Sequence, residues 1–252
     1  MIKRIPEKPV GVFGIRYWVF GVRCSAVNNI AGAEGKRTPQ IEPHMRADYR
    51  VEHLCGATLY LSFTPEGVEY AYRLGLFPMH DSRSGEILWY RPDPRAIIPI
   101  EEFHISHSLA KRMRRGDFEI RIDTDFIGVM RGCANRPEGT WISEEFIDVY
   151  GALHQMGVAH SVETWMGNTL VGGTYGIAIG GAFMAESMFH YRSDASKVAL
   201  AALVDRLQSR GFMLLDTQYL TNHLVSLGAV EIPHRVYYER LRRAIRMGCS
   251  FS

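Results

Sequence analysis

Two polar side chains that could take part in chemistry stand at the end of an apolar run, in the stretch FMLLDTQ. Asp216 and Gln218 are separated by one residue, so a strand would place them on one face, roughly 6.6 Å apart. Both come where a strand is expected to end and a helix to begin, and functional side chains often lie at such junctions. The pair could contact one reacting centre, although many strands end in D-x-Q without any function.

A carboxylate stands among apolar residues in the stretch AFMAESMFH. The alternation of a strand would place Glu186 on one face with Met184 and Met188, and Ser187 on the other face. A carboxylate between two methionines is costly to bury without a partner. A cationic ligand with an apolar tail would satisfy this face. An internal Arg or Lys would do so too, and the spacing alone favours such a structural pair.

Several other kinds of site lack their motifs. The glycine-rich stretch GGTYGIAIGG precedes no G-K-[ST] and opens no helix as G-x-G-x-x-G, so it is not a phosphate loop. His104 and His107 form HISH, but no H-E-x-x-H occurs, and we expect neither a metal site nor a cofactor. No G-x-S-x-G elbow offers a serine nucleophile. Trp89 and Trp141 could each belong to the core or offer a stacking surface to a base.

Local signals predict the elements that must position these side chains. Capping residues precede two helices, Ser143 the one that ends at Gly157, and Ser193 or Asp194 the one that ends at Gly211. The order β-β-β-α-β-α-β in the C-terminal part predicts an α+β fold with helices packed on a mixed sheet, not an alternating Rossmann arrangement. Further predicted elements are a helix from Thr64 to Gly75, a helix ending at Gly116, strands at about 158–165, 169–179 and 182–190, and the strands FMLLDTQ and AVEIP around a short helix YLTNHLVSLG.

The composition is that of an ordinary globular chain, with 252 residues, 46% hydrophobic residues and a net charge of +2. This charge balance excludes a protein that coats nucleic acid with its whole surface. The basic runs KRMRR (111–115) and RLRRAIR (240–246) could meet phosphates or form solvated helix faces. The four cysteines form no C-x-x-C, which fits a reducing compartment. The N-terminal apolar stretch is short and interrupted by arginines, so we expect a cytoplasmic protein without a membrane span.

Longer motifs, taken in order, resemble those of the bacterial leucyl/phenylalanyl-tRNA–protein transferases. They are GLFPM, LWYRPDPRAIIP, TWI, AHSVETW, LVGGTYGIAIGGAFMAESMF, DASKVAL, LLDTQ, HLVSLGAVEIP and a final R-x-Y. The resemblance covers roughly residues 59–240. The residues before it, with a polar, linker-like stretch at 24–50, do not resemble the short start usual in that family.

The resemblance implies an architecture and a reaction. We expect an N-terminal extension at 1–58, a small N-terminal domain at 59–95 and a catalytic domain with an acetyltransferase-like (GNAT-like) fold at 96–252. The implied activity moves Leu or Phe, and less well Met, from aminoacyl-tRNA to the N-terminal Lys or Arg of acceptor proteins. These products are marked for degradation by the N-end rule pathway. We expect a monomer that binds aminoacyl-tRNA and acceptor proteins. We expect no binding to a membrane.

The resemblance also implies roles for the residues considered above. Asp216 and Gln218 match the catalytic pair, and Glu186 matches the acid that holds the α-ammonium of the aminoacyl group. Met188 matches a wall of the pocket for the amino-acid side chain. Ser187 is a further substrate-binding residue.

Aromatic residues complete the implied substrate site. Trp89 and Trp141 match tryptophans near the terminal adenosine of the tRNA, and Tyr150 is another substrate-binding residue. Two positions depart from the family pattern, because Tyr90 replaces a second Trp and Thr174 replaces a larger apolar residue. These departures leave the preferred amino acid open.

The implied chemistry needs little from the protein, because an aminoacyl ester is already activated and an α-amine has a pKa of about 8. Positioning and stabilisation of the oxyanion can therefore supply most of the catalysis. One hypothesis is that Asp216 orients Gln218 and draws off positive charge as the amine attacks. The alternative is proton removal by the 2′-hydroxyl of the tRNA.

Three other functions remain open on the sequence alone. They are an acyl-CoA-dependent acyltransferase on the same scaffold, a binding module for tRNA ends or peptides without turnover, and a related transferase for acceptors that begin with Asp or Glu.

Overall fold

The computed structural model describes residues 58–81, 85–137 and 139–252, with three earlier strands at Val10–Val12, Ile15–Tyr17 and Tyr49–Glu52. The linker-like character predicted for the N-terminal extension therefore lies outside the described residues. In the part of the chain that is described, no helix is long and apolar enough to cross a membrane.

Helices and strands alternate irregularly along the chain. The helices are α1 (Pro65–Arg73), α2 (His107–Arg114), α3 (Phe126–Ala134), α4 (Glu144–Gln155), α5 (Ala195–Ser209), α6 (Asn222–Val225) and α7 (His234–Ala244), with a short 3-10 helix at Ile100–Glu102. The strands are β1 (Val10–Val12), β2 (Ile15–Tyr17), β3 (Tyr49–Glu52), β4 (Thr58–Leu61), β5 (Phe77–Asp81), β6 (Glu86–Tyr90), β7 (Arg95–Ile98), β8 (Glu119–Ile122), β9 (Ala159–Met166), β10 (Thr169–Ile179), β11 (Ala182–His190), β12 (Leu214–Gln218) and β13 (Val230–Ile232).

A seven-stranded mixed sheet organises the described chain, in the order β13-β7-β12-β11-β10-β9-β8. Neighbouring strands are antiparallel except β11 and β12, which run parallel in the middle of the sheet. The strand β12 follows β11 through α5, the crossover that a parallel pair requires. The predicted α+β class with a mixed sheet is confirmed, and the finer acetyltransferase-like assignment stays a prediction.

The two faces of the sheet carry separate core layers. The first core layer contains buried residues of α1, α3, α4 and α7, for example Tyr72, Phe146 and Leu241. The second core layer contains buried residues of α2, α5 and α6, for example Leu109 and Leu203. At about 25 cal/mol per Å² of apolar surface removed from water, such burial is the main force that holds the helices on the sheet.

Elements with strong local signals lie where they were predicted. The three successive strands at 158–165, 169–179 and 182–190 are β9 to β11 within one residue. Thr64 and Ser143 accept hydrogen bonds from the backbone N–H of Gly67 and Phe146, so both predicted helix starts are confirmed.

The cap predicted for α5 is wrong in its mechanism. Asp194 does precede the helix, but its φ is 67° and its side chain makes no capping hydrogen bond. Its carboxylate instead accepts a hydrogen bond of 3.1 Å from Lys197.

Two helices and several strands were not predicted. The sequence of α3, FIGVMRGCA, contains two glycines, and glycine is a weak helix former. Tertiary packing compensates, since Gly132 lies against the ring of Phe189, and Asp125 caps the helix through Gly128. The helix α7 begins directly after Pro233, and its buried residues Tyr237, Leu241 and Ala244 recur at helical spacing, a sequence signal that was missed. One of the missed strands, β5, begins two residues after the predicted helix end at Gly75.

We expect Gly176→Ala to lower the free energy of unfolding by about 1–3 kcal/mol or more. A Cβ at Gly176 would lie 2.3 Å from the carbonyl oxygen of Met184 and 2.5 Å from the ring of Phe183, so the β10–β11 pair would have to separate. Urea unfolding followed by circular dichroism measures the change. The control is Gly248→Ala, where an added Cβ meets nothing within 4 Å and stability should hardly change. Equal effects of both substitutions would contradict this account.

Candidate active site in a gap between two parallel strands

The candidate site lies where the parallel strands β11 and β12 separate. They pair over only three positions, Ala182 to Met184 on β11 with Leu214 to Asp216 on β12. Beyond that point β11 continues to His190, while β12 ends at Gln218 and the chain turns into α6. A gap between two central strands exposes side chains that a continuous sheet would cover.

A bulge in β11 changes the directions of the side chains there. Tyr175 pairs with Ser187 and Gly176 pairs with Ala185, so Glu186 is an extra residue. As a result Met184 packs in the first core layer, while Met188 packs against the second. The prediction that Met184, Glu186 and Met188 share one face is therefore wrong.

A second irregularity separates Asp216 from Gln218. The pairing of β12 with β7 shifts between these two residues, and Gln218 has a φ of 58°, in the left-handed region. The backbone N–H of Gln218 donates a 2.9 Å hydrogen bond to Oδ1 of Asp216. Regular strand alternation therefore does not describe the pair, because the acid holds the backbone of the amide residue in a conformation that non-glycine residues rarely adopt.

The carboxylate of Asp216 is enclosed by three other groups and has no exposed surface. Nε of Arg95 donates to Oδ1 at 2.8 Å and Nη2 donates to Oδ2 at 2.5 Å. The hydroxyl of Tyr237 donates to Oδ2 at 2.9 Å. With the N–H of Gln218, these four hydrogen bonds occupy the lone pairs of the carboxylate, so Asp216 has no acceptor left for a substrate.

Arg95 was missed by the sequence reasoning, although it stands in the quoted motif LWYRPDPRAIIP. Its side chain is fully buried between the rings of Phe77 and Tyr237, 4.8 and 4.6 Å from their centroids. Burial lowers the pKa of its guanidinium, but the charge and hydrogen bond of Asp216 outweigh that effect and raise the pKa. An arginine at the start of an apolar strand was the available signal.

Glu186 faces the gap and is joined to Gln218. The Nε2 of Gln218 donates a 2.8 Å hydrogen bond to Oε1 of Glu186. Burial raises the pKa of the Glu186 carboxyl to about 8, and the negative charge of Asp216 adds to this rise. A hydrogen bond from Tyr72 and the charge of Arg95 act in the opposite direction. A cation bound beside Glu186 would favour the ionised carboxylate and lower its pKa.

A pair of tyrosines supports Glu186 from the first core layer. The hydroxyls of Tyr72 and Tyr150 lie 2.6 Å apart, and both side chains are almost completely buried. Burial, with the charge of Glu186, raises the pKa of both phenols. Tyr150 is therefore a buried partner of Tyr72 and does not line the pocket that opens between the strands.

An open pocket in the gap brings together four of the predicted residues. Glu186, Ser187, Met188 and Gln218 line it, and α6 covers the opposite side. The pocket has a volume of about 100 Å³ and opens to solvent. Its wall includes a carboxylate, an amide and apolar side chains, which suits a small amphipathic group with a cationic end.

Other lining residues were not predicted as site residues. Thr217, His223 and Leu224 line the pocket, and Thr174, which departs from the family pattern, lies beside them. The hydroxyl of Thr174 donates a 3.0 Å hydrogen bond to the carbonyl of Ser187, so its hydrogen-bonding capacity as a donor is used within the sheet. Pocket-lining residues on a short helix such as α6 have no periodic signal in the sequence.

The two tryptophans do not line this pocket. Trp89 and Trp141 are partly buried and pack against the first core layer, where Trp89 lies 6.5 Å from the ring of Phe63 and Trp141 lies 5.3 Å from that of Phe146. The pocket between the strands is therefore lined by neither tryptophan. Within the described ranges, no group of three His, Cys, Asp or Glu residues is placed to hold a metal ion.

Comparison with known families gives a match over most of the chain. The family described as leucyl/phenylalanyl-tRNA protein transferase matches residues 97–242. The family described as the N-terminal domain of the same transferase matches residues 62–93.

Individual relatives agree with that match. The leucyl/phenylalanyl-tRNA–protein transferase of Ruegeria pomeroyi is 50% identical over 193 residues, which are 76% of this chain and 91% of the relative. The protein of the same name from Herpetosiphon aurantiacus is 51% identical over 189 residues, 75% of this chain and 97% of the relative. Among solved structures, that of L-PGS from Bacillus licheniformis matches with a TM-score of 0.36 and 12% identity, over 64% of this chain and 55% of that one.

Proposed function

The chain belongs to the leucyl/phenylalanyl-tRNA protein transferase family, and we propose that it moves Leu or Phe, and less well Met, from aminoacyl-tRNA to the N-terminal Lys or Arg of proteins. The modified proteins then enter N-end rule degradation. The observation that carries this proposal is the pocket between β11 and β12, where Glu186 and Gln218 are joined beside the apolar side chain of Met188. An aminoacyl ester has the matching parts, an α-ammonium and an apolar side chain.

In this proposal Glu186 binds the α-ammonium of the aminoacyl group. The side chain of Glu186 is partly buried. Its pKa is raised, as expected for a desolvated carboxyl that has no fully compensating positive charge in the free protein. An ammonium group would supply that positive partner. The buried carboxylate and the ammonium would then form a charge-assisted hydrogen bond that is specific for a substrate with a free α-amine. The apolar side chain of the amino acid would then lie against Met188 and Leu224.

Asp216 acts as a positioning residue. Its carboxylate is already paired with Arg95 and has no exposed surface, so it does not contact the ester. It fixes the left-handed backbone of Gln218 and so places the amide beside Glu186. Gln218 is the member of the predicted catalytic pair that can contact the reacting centre.

The reaction replaces one acyl bond by another. The acceptor α-amine attacks the ester carbonyl, a carbon–nitrogen bond forms, and the bond from carbon to the 3′-oxygen of the tRNA breaks. One proton must leave the amine nitrogen and one must reach that 3′-oxygen. Binding both substrates in one gap makes the attack effectively unimolecular, which can supply several kcal/mol of the barrier.

Basic and aromatic surfaces outside the pocket suit the tRNA. Helix α2 and the residue after it expose Lys111, Arg114 and Arg115, and α7 exposes a second set of arginines. Arg112 is less available, because it pairs with Asp117. We assign these helices to the acceptor stem, and Trp89 and Trp141 to the terminal adenosine.

We further propose the division into a small domain at 59–95 and a GNAT-like catalytic domain at 96–252. The separate family matches at 62–93 and 97–242 support this boundary. Four cysteines without C-x-x-C support a cytoplasmic enzyme. We also propose that it is a monomer.

The test is transfer of radiolabelled Leu, Phe and Met from charged tRNA to one model protein made with N-terminal Arg, Lys, Asp or Ala. We expect transfer to the Arg and Lys forms alone. Transfer to the Asp form would indicate the related specificity, and binding of charged tRNA without transfer would indicate a binding module. If acetyl-CoA raised the melting temperature and no transfer occurred, an acyl-CoA-dependent acyltransferase would replace the proposal.

A further inference from the structure

The carboxylate of Asp216 already accepts four hydrogen bonds, so it is not available to accept the proton of the attacking amine. Among the side chains that line the pocket, those that titrate near neutral pH are Glu186 and His223. Glu186 is hydrogen-bonded to Gln218 and Tyr72 and is assigned to the α-ammonium of the aminoacyl group. His223 is not needed to bind the aminoacyl group and is free to act on the acceptor amine.

His223 lies on the opposite wall of the pocket from the strand β11. It is the second residue of α6, whose start is fixed by a hydrogen bond of 3.1 Å from the N–H of Leu224 to Thr221. Leu224 packs in the second core layer, so the short helix is anchored on both sides of the histidine. The ring of His223 is partly exposed, and no hydrogen bond to it is present among the described residues.

The charged groups around His223 keep its imidazole neutral. Burial lowers the pKa of His223 below 6.5, and the positive charges of Lys197 on α5 and His190 on β11 lower it further. Glu186 lies across the pocket, where an ionised carboxylate would oppose this shift. A neutral imidazole can accept a proton, whereas an imidazolium cannot.

We propose that His223 is a catalytic residue, the general base that removes the proton from the attacking α-amine of the acceptor protein. The inference rests on the proposed transferase activity. As the carbon–nitrogen bond forms, one proton moves from the amine nitrogen to a ring nitrogen of His223. As the bond to the 3′-oxygen of the tRNA breaks, the same proton moves to that oxygen, and His223 returns to its neutral form.

The first test compares single-turnover transfer by the wild-type protein and by His223→Gln, with Leu-tRNA and an acceptor that begins with Arg. General base catalysis contributes about a hundredfold to ten-thousandfold, so we expect a loss of at least about a hundredfold at pH 7.5. Binding of charged tRNA should change less than about threefold. The matched control is His190→Gln, which removes a neighbouring histidine that does not line the pocket and should retain the wild-type rate within about threefold.

The pH dependence separates catalysis from support of the fold. The acceptor amine and Glu186 titrate in both proteins, so their effects cancel in the ratio of the wild-type rate to the His223→Gln rate. That ratio should be constant above about pH 6.5 and fall towards one as the pH drops through the pKa of His223. A ratio that does not change with pH would assign His223 a structural role and overturn the proposal.

A tRNA that ends in 2′-deoxyadenosine tests the competing base. If His223 is the base, wild-type transfer from this tRNA should persist while His223→Gln remains slow. Loss of wild-type transfer with the deoxy tRNA, together with an unchanged rate for His223→Gln, would overturn the proposal in favour of the 2′-hydroxyl. No wild-type transfer from either tRNA would instead reject the transferase activity, and with it the role of His223.

Discussion

Replacing Arg95 with methionine should lower the free energy of unfolding by about 3–5 kcal/mol, because it leaves the carboxylate of Asp216 buried without a counter-charge. Both side chains of this pair have no exposed surface, so solvent cannot stabilise the remaining charge. The same substitution should abolish transfer. Arg95 holds the carboxylate of Asp216, and that carboxylate accepts the hydrogen bond that fixes the left-handed backbone of Gln218. Urea unfolding and single-turnover transfer on the refolded protein measure the two effects.

Two variants make this prediction specific. The double substitution of Arg95→Met with Asp216→Asn removes the buried charge but keeps an acceptor for Gln218, so it should recover much of the stability. The control Arg73→Met breaks a surface pair with Glu69, whose two side chains are 41% and 23% exposed, and should cost no more than about 0.5 kcal/mol. Similar losses for Arg95→Met and Arg73→Met would refute the importance of the buried pair.

Replacing Glu186 with glutamine should lower kcat/KM for Leu-tRNA by a factor of about thirty to a few thousand. The factor corresponds to about 2–5 kcal/mol for the loss of one charge from a largely desolvated pair. Glutamine keeps the size of the side chain and an acceptor oxygen for Gln218, so the change is confined to the charge. Transfer from N-acetyl-Leu-tRNA, which has no α-ammonium, should be slow with the wild-type protein and no slower with Glu186→Gln. If Glu186→Gln transferred the acetylated substrate much more slowly than the wild-type protein does, Glu186 would not be the group that binds the α-ammonium.

The same substitution has a predicted effect on stability that depends on pH. The folded pKa of Glu186 is raised to about 8, so the folded protein holds a proton that the unfolded chain releases near pH 4.5. The free energy of unfolding of the wild-type protein should therefore fall as the pH rises from about 4.5 to 8. The Glu186→Gln variant should not show this contribution to the fall. Melting temperatures of both proteins between pH 5 and 9 test the sign. If the variant's advantage over the wild-type protein shrank as the pH rose, burial of the Glu186 carboxyl would not be the cause.

Much of the fold followed from local patterns in the sequence. The capping hydroxyls of Thr64 and Ser143 and the alternation of β9 to β11 depend on neighbouring residues, so the sequence alone placed these elements within about a residue. The helix α3 escaped prediction because packing stabilises it against a weak local preference, whereas the helical spacing of Tyr237, Leu241 and Ala244 in α7 was a sequence signal that was missed. A short pattern cannot show that Gly132 fits under the ring of Phe189.

The candidate site was predictable in its composition and not in its arrangement. The sequence, through its motifs, determined that Glu186, Met188 and Gln218 belong together, and the family match agrees with the reaction those motifs imply. Only the tertiary structure showed that Arg95 encloses Asp216 across 121 residues of chain, and that the two bulges turn Glu186 and Gln218 towards each other. Strand alternation is a rule about a regular backbone, whereas bulges and buried ion pairs arise where distant segments must fit together. The residue types in the sequence therefore determined which chemistry is possible, and the packing of one strand against another determined the geometry of the site.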